Sequence, residues 1–232
     1  MSAVDPESRL VCRPSLLPPR VKRLSLFFLA CALSITLQGQ ARGAEDERPS
    51  GFVQINAGEY SSDRFVVDLR YDTDDNFLGR NVYRKHGVTA CWLHPVAAAR
   101  LMKLVPELKR RRMKLVLWDC WRPLEVQREM WKIMPDPRYV ADPSKGSKHN
   151  RGIAVDASLA DERGDPLPMP TAFDDFSEKA SPAAACSREE RRLCANRDLQ
   201  IKMMKGAGLE ALPTEWWHYE PHGIDASLFP VR

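Results

Sequence analysis

The sequence predicts a single α+β domain, and three observations carry that expectation. At 232 residues the chain is long enough for one well-developed core and short for two. Stretches of strand type and of helix type alternate along it without the regular β-α-β rhythm of a doubly wound parallel sheet. Apolar residues make up 44% and charged residues 28%, the balance of a globular chain rather than a disordered or fibrous one. The chain contains no internal repeat, no Gly-rich phosphate loop and no G-x-S-x-G elbow, which removes the solenoid, nucleotide-binding and serine-hydrolase readings.

The first 44 residues differ from the rest. Arg20, Lys22 and Arg23 precede an apolar run over residues 24–37 (LSLFFLACALSITL), and small residues follow in QGQARGA. A positive flank, an apolar stretch and a small-residue exit predict a secretory signal peptide over residues 1–44, cut after Ala41, Gly43 or Ala44. The run is short for a membrane span, which needs roughly 20 apolar residues. An uncleaved N-terminal anchor and lipid attachment at Cys31 are the alternatives. This leader also accounts for the formal charge of +4: it carries six basic groups and two acids, leaving 29 of each in the remainder. A neutral body gives no support to nucleic-acid binding.

Residues 45–64 are polar and aperiodic and read as an N-terminal arm. Residues 65–70 (FVVDLR) form a short β-type run, followed by the turn-rich YDTDDNFLGRNVY. Residues 95–112 space Val96, Leu101, Leu104, Val105 and Leu108 at helical intervals, with Pro95 suited to a first turn. Pro106 must kink or divide that helix. Residues 114–118 (KLVLW) predict a strand, and residues 123–134 a helix with Leu124, Gln127, Trp131 and Met134 along one side. Residues 152–159 (GIAVDASL) predict a strand with Ile153, Val155 and Ala157 on one face and Asp156 on the other. Residues 161–194, rich in Pro, Asp and Ser, read as loop. A helix is expected over residues 196–205, ended by Gly206 or Gly208. Residues 215–219 (EWWHY) suit a strand after a Pro-Thr turn.

Export makes the cysteines informative, because disulfides persist in oxidising compartments. Cys91, Cys120, Cys186 and Cys194 remain after the leader, and four cysteines allow three pairings. The closeness of Cys186 and Cys194 favours a local loop staple. No C-x-x-C pair supports zinc binding by these thiols.

The chemistry is carried by histidines and carboxylates. His149 lies in SKHNRGIAVDASL, where Gly152 lets the backbone bend and Asp156 stands on the strand behind. Downstream, EWWH places Glu215 three residues before His218. Two imidazoles and a carboxylate are a common catalytic zinc set that leaves one coordination position open. Glu215 is then placed as the base that takes a proton from water. Residues i and i+3 of a strand face opposite sides, so Glu215 and His218 converge only if the strand bends or bulges near Trp216–Trp217. His222 lies four residues after His218, but Pro221 argues against a helix there. His86 and His94 have no accompanying carboxylate motif. On residue types alone, Asp119 or Glu220 could replace Asp156 as a ligand.

The pattern S-x-H-x-x-G-x-A-x-D from Ser147 to Asp156, followed by E-W-W-H from Glu215 to His218, resembles the D-alanyl-D-alanine dipeptidase family of zinc peptidases. The likeness runs over residues 67–219 and includes DLRYDTDDNFLGRNVY, WDCWRP, PMPTAFDDF and NRDL. The resemblance implies one zinc-peptidase domain over residues 65–232, with a central, mainly antiparallel sheet flanked by helices, an architecture shared with the Hedgehog signalling domain. It implies one zinc ion on His149, Asp156 and His218, Glu215 as general base, and Arg122 facing the developing oxyanion. It also implies that Asp174 contacts the substrate ammonium, with Asp175 a competing neighbour, and that Ser147 lies near the substrate carboxylate. Asp119 is expected to fix Arg122. Two departures are visible. Cys120 stands where other members carry a smaller residue, which puts a thiol or a disulfide close to Arg122. An insertion over residues 175–196 is expected to alter the rim of the pocket.

The expected activity is hydrolysis of the dipeptide D-alanyl-D-alanine in cell-wall turnover or recycling, in the periplasm or outside the cell. The alternatives are a D,D-carboxypeptidase or endopeptidase acting on peptidoglycan stem peptides, and a zinc-stabilised binding domain without catalysis. The expected partner is a small dipeptide, with no nucleic acid and no stable membrane span once the leader is removed.

Overall fold

The computed structural model describes residues 49–232, so the signal peptide expected over residues 1–44 lies outside the described residues. Strand β4, Lys114–Asp119, is the apolar run KLVLWD. Its alternating side chains are buried on both faces: Leu115 and Leu117 enter the larger core cluster, Val116 and Trp118 a smaller one opposite. A strand covered on both faces reads as a continuous apolar run rather than an alternation, and so does this one.

Around β4 lie β2 (Phe65–Val67), β5 (Val155–Ala160), β7 (Glu215–Pro221) and β6 (Leu209–Leu212), in the order β2-β4-β5-β7-β6. Only β2 and β4 run parallel; the other three pairs are antiparallel. A separate two-stranded ribbon pairs β1 (Val53–Gln54) with β3 (Trp92–Leu93). The mixed α+β architecture with a mainly antiparallel central sheet is therefore the one expected.

Helices supply the larger core. Helix α1 (Pro95–Met102) is capped by His94, whose Nδ1 accepts from the Val96 N–H, and Pro95 takes its first position. The helical run breaks at Lys103–Leu104, and Pro106 falls in the first turn of α2 (Val105–Arg111), where a missing N–H costs little. Leu101, Leu104 and Leu108 pack with Val126 and Met130 of α3 (Leu124–Ile133) and Met203 and Met204 of α4 (Arg191–Gly206). The opposite face of the sheet is covered by the long segment before α4, where Phe173 and Ala180 meet Trp118, Trp216 and Trp217. No helix among the described residues is long and apolar enough to cross a membrane.

Two expectations need correction. The N-terminal arm expected over residues 45–64 is folded in from Phe52: Phe52 and Ile55 are core residues, and β1 pairs with β3. A two-residue strand is too short to show a period. Helix α4 starts at Arg191 rather than 196, its first turns tied to the preceding loop by the Cys186–Cys194 disulfide. No element was expected over residues 209–212; only Leu209 in β6 is buried, and its ladder to β7 is what makes it a strand.

Candidate metal centre and active-site cavity

Asp156 and His218 are direct cross-strand partners on β5 and β7, so their side chains stand side by side. His149 comes from a 3₁₀ turn, His149–Arg151, that ends on Gly152 at φ +64°. A Cβ on Gly152 would lie 2.4 Å from the Phe52 ring, so both the left-handed backbone and the close approach require glycine there. The turn brings His149 Nε2 to 3.3 Å from Asp156 Oδ1 and 3.1 Å from His218 Nδ1, while His218 Nδ1 lies 3.1 Å from Asp156 Oδ1. A tetrahedral ion bound at about 2.0–2.1 Å sets its ligand atoms about 3.3 Å apart. The three atoms already form that triangle.

The surroundings fit a cation. Asp156 Oδ1 is buried and finds no hydrogen-bond partner. His149 Nδ1 lies 2.8 Å from the Cys120 carbonyl, so as donor it leaves the Nε2 lone pair facing Asp156. The outer nitrogen of His218, Nε2, faces Glu220 Oε2 at 3.7 Å. Burial by itself would lower the His218 imidazole, but Asp156, Glu220 and Glu215 reverse this and push it up to about 10. Burial opposes ionisation of Asp156 too, yet the two imidazoles hold its carboxyl well below the usual range. The site favours positive charge at its centre. His149, Asp156 and His218 are the group among the described residues able to hold a metal ion.

Glu215 approaches His218 Nδ1 to 3.9 Å despite their separation of three along one strand. The ladder explains it: Ala211 pairs with Tyr219 but Leu212 pairs with Glu215, so β7 bulges through Trp216–His218. The irregularity required near Trp216–Trp217 is present. Burial, with further contributions from Asp156 and Asp174, pushes Glu215 up to about 8 against the opposing effect of His218.

Arg122 is fixed from behind. Its Nε and Nη2 donate to Asp119 Oδ2 at 3.0 and 2.5 Å, and Nη1 donates to Gln127 Oε1 at 2.8 Å. Burial disfavours its charge, but Asp119 keeps the guanidinium fully protonated. Three of the five N–H donors of a guanidinium are so engaged, leaving two. Asp119 is thus the partner of Arg122 and not a metal ligand, its Oδ1 accepting from the Tyr83 hydroxyl. Asn150 ties the neighbouring elements together: Nδ2 donates to the Arg122 carbonyl at 2.7 Å, Oδ1 accepts from the Ser147 N–H, and Ser147 Oγ accepts from the Asn150 N–H.

Asp174 adopts φ +60°, and its carboxylate accepts from the Tyr71 hydroxyl at 3.0 and 3.1 Å and from the Phe77 N–H at 3.4 Å. Desolvation first, then Asp156, push its carboxyl up to about 7. The competing Asp175 instead accepts from the Ser177 N–H at an exposed turn. Arg122, Ser147, His149, Asp156, Asp174, Glu215 and His218 all line one cavity of ≈ 260 Å³, closed by Tyr71, Phe77 and Trp217 among others. His86, His94 and His222 lie outside it. Of the cavity's working parts, sequence reasoning missed Tyr71, Gln127 and Asn150, and it named Glu220 only as a rival ligand.

The family model and two relatives agree on one family. The model of family Peptidase_M15, described as D-ala-D-ala dipeptidase, matches residues 62–228. The chain is 34% identical over 157 residues to a D-alanyl-D-alanine dipeptidase of Escherichia coli (strain K12), covering 66% of this chain and 77% of that protein. It is 29% identical over 193 residues to a D-alanyl-D-alanine dipeptidase of Enterococcus faecium, covering 71% and 92%. Among solved structures it is similar to a vancomycin-resistance D,D-pentapeptidase in complex with Zn(II), at 15% identity and TM-score 0.37, covering 61% and 79%.

Proposed function

This chain belongs to the D-alanyl-D-alanine dipeptidase family, and from that premise we propose that it hydrolyses D-alanyl-D-alanine to two D-alanines with one zinc ion on His149, Asp156 and His218. The observation that carries the reading is the triangle of ligand atoms at 3.1–3.3 Å, one corner of it an orphaned carboxylate oxygen, with Glu215 beside it. Zinc bound there supplies Lewis acidity, which makes water a nucleophile near neutral pH.

The remaining roles fall to the chain's own side chains. Glu215 takes the proton from the attacking water and passes it to the leaving amine. Arg122 turns its two remaining N–H groups toward the negative charge that grows on the scissile carbonyl oxygen. Removing one such donor costs about 10²–10³ in rate. Asp174, held by Tyr71, receives the substrate ammonium, and Ser147 stands by the carboxylate end. Such a cavity selects a free dipeptide, because a peptide extended at its N-terminus would leave Asp174 without its counter-charge.

Export fits the same reading. The four cysteines of the described residues form two disulfides, Cys91–Cys120 and Cys186–Cys194, and such bonds persist in oxidising compartments. With the leader over residues 1–44, this supports a periplasmic or secreted enzyme that meets dipeptide released by wall turnover. The test is alanine release by the zinc-loaded protein from D-Ala-D-Ala, L-Ala-L-Ala and a D-Ala-D-Ala-terminated pentapeptide. Release from the D,D-dipeptide alone is expected. Preference for the pentapeptide would move the assignment to a D,D-carboxypeptidase.

A further inference from the structure

Strand β4 loses its regular register between Leu117 and Asp119, and residues 120–123 belong to no strand or helix. Yet this irregular stretch bears two of the tightest duties in the site. Cys120 offers its carbonyl to His149 Nδ1 at 2.8 Å, and its N–H donates to Asp119 Oδ1 at 2.8 Å, while Asp119 Oδ2 holds Arg122. A backbone carrying such contacts needs an anchor that the ladder no longer provides.

Besides the bonds that tie the Arg122 backbone to His149 and Asn150, two links supply it from the side of β3. The Trp121 N–H donates to the Trp92 carbonyl at 2.9 Å, and Cys120 is bonded to Cys91, with both cysteines essentially inaccessible to solvent. The ribbon they reach is itself tied to the other side of the metal site. The His94 N–H donates to the Gly152 carbonyl at 2.8 Å, and the Gly152 N–H donates to the His149 carbonyl at 2.9 Å. The β1–β3 ribbon therefore grips both the carbonyl that orients His149 and the turn that carries it. The second disulfide, Cys186–Cys194, joins an exposed loop to the start of α4 and touches none of these groups.

We propose that the Cys91–Cys120 disulfide is a positioning element of the metal centre: by holding the Cys120 carbonyl against His149 it sets the tautomer and aim of that ligand. The inference rests on the zinc reading of the site. Partners that orient a ligating histidine typically contribute 10–100-fold to metal affinity or activity.

The experiment compares the disulfide-bonded protein with Cys91→Ala/Cys120→Ala, with the space-filling Cys91→Val/Cys120→Ala, and with Cys186→Ala/Cys194→Ala as control. Zinc affinity is read by chelator competition, ligand geometry by the visible spectrum of the cobalt-substituted protein, and folding by thermal melting of the metal-free forms. The expected result is a folded 91/120 variant that holds zinc 10–100-fold more weakly, with an altered cobalt spectrum and a lower kcat at little-changed KM. The 186/194 variant, which also loses a crosslink, is expected to keep wild-type affinity and spectrum. Wild-type zinc affinity and spectrum in the 91/120 variants, with only a lower melting temperature, would overturn the inference. So would failure of both 91/120 variants to fold, since the bridge would then be a requirement of the fold. A wild-type protein holding no zinc would defeat the reading of the site itself, an outcome distinct from either.

Discussion

Asp174 sits at φ +60° with its carboxylate drawn out of bulk water, held by Tyr71 and by the Phe77 amide. Its carboxyl lies near 7 in the fold against an ordinary value of 3.8. Between those two pH values the folded chain keeps a proton that the unfolded chain has released. Stability at this site therefore falls as pH rises from about 4 to 7, and above 7 the penalty is complete, at most about 4 kcal/mol. Under the proposed role of Asp174, a substrate ammonium would remove that penalty and turn a stability cost into binding energy. Asp174→Asn tolerates the left-handed backbone and keeps an acceptor for Tyr71. The metal-free variant is expected to be more stable than wild type at pH 8 and equal to it near pH 4 by denaturant titration, with a raised KM for the dipeptide. A variant less stable than wild type at pH 8 would contradict the account. At this scale the sequence was most readable where function sits in short contiguous motifs, as with His149, Asp156, Glu215 and His218. Tyr71 was silent because its partner is 103 residues away. Gln127 and Asn150 were silent because a buried amide looks like any surface amide until the backbone it serves is known.

Strand β5 pairs with β7 only at Val155 and Asp156, because β7 bulges to bring Glu215 to His218 and then follows β6. The remaining edge of β5 is completed by the Leu167 N–H, which donates to the Leu159 carbonyl at 2.8 Å, and by one side chain. Gln200 of α4 accepts from the Leu159 N–H at 2.7 Å and donates to the Ala157 carbonyl at 2.8 Å, mimicking a neighbouring strand. The bulge at Trp216–His218 and this buried glutamine are two sides of one arrangement. Gln200→Leu keeps much of the volume but leaves two buried backbone groups unmatched, so a loss of about 3 kcal/mol is expected in denaturant unfolding. A loss under 1 kcal/mol would mean that the edge is satisfied some other way. Elements with a full period were legible: β4, β5, α3 and the α1–α2 pair divided before Pro106. The β1–β3 ribbon and β6 were not, because two to four residues carry no period and exist through their partners. The early start of α4 was hidden by a first turn rich in arginine, with Cys194 bonded to the preceding loop.

Across the molecule, the cavity gathers Arg122 from the end of β4, His149 from a turn, Asp156 from β5, Asp174 from the long segment covering the sheet, and Glu215 and His218 from β7. That the sheet order brings β4, β5 and β7 together is a topological fact no local pattern states. The resemblance to the dipeptidase family nevertheless implied the same set, whereas residue types alone left the carboxylate ligand open between Asp156, Asp119 and Glu220. The central claim is that this set performs hydrolysis rather than holding zinc as a structural staple. Glu215→Gln tests it most directly, since the substitution keeps shape and removes only the proton-carrying carboxylate. The account predicts wild-type zinc content and melting temperature, with D-Ala-D-Ala turnover reduced about 10²–10⁴-fold. Turnover within a few-fold of wild type, or a variant that loses its zinc, would contradict it.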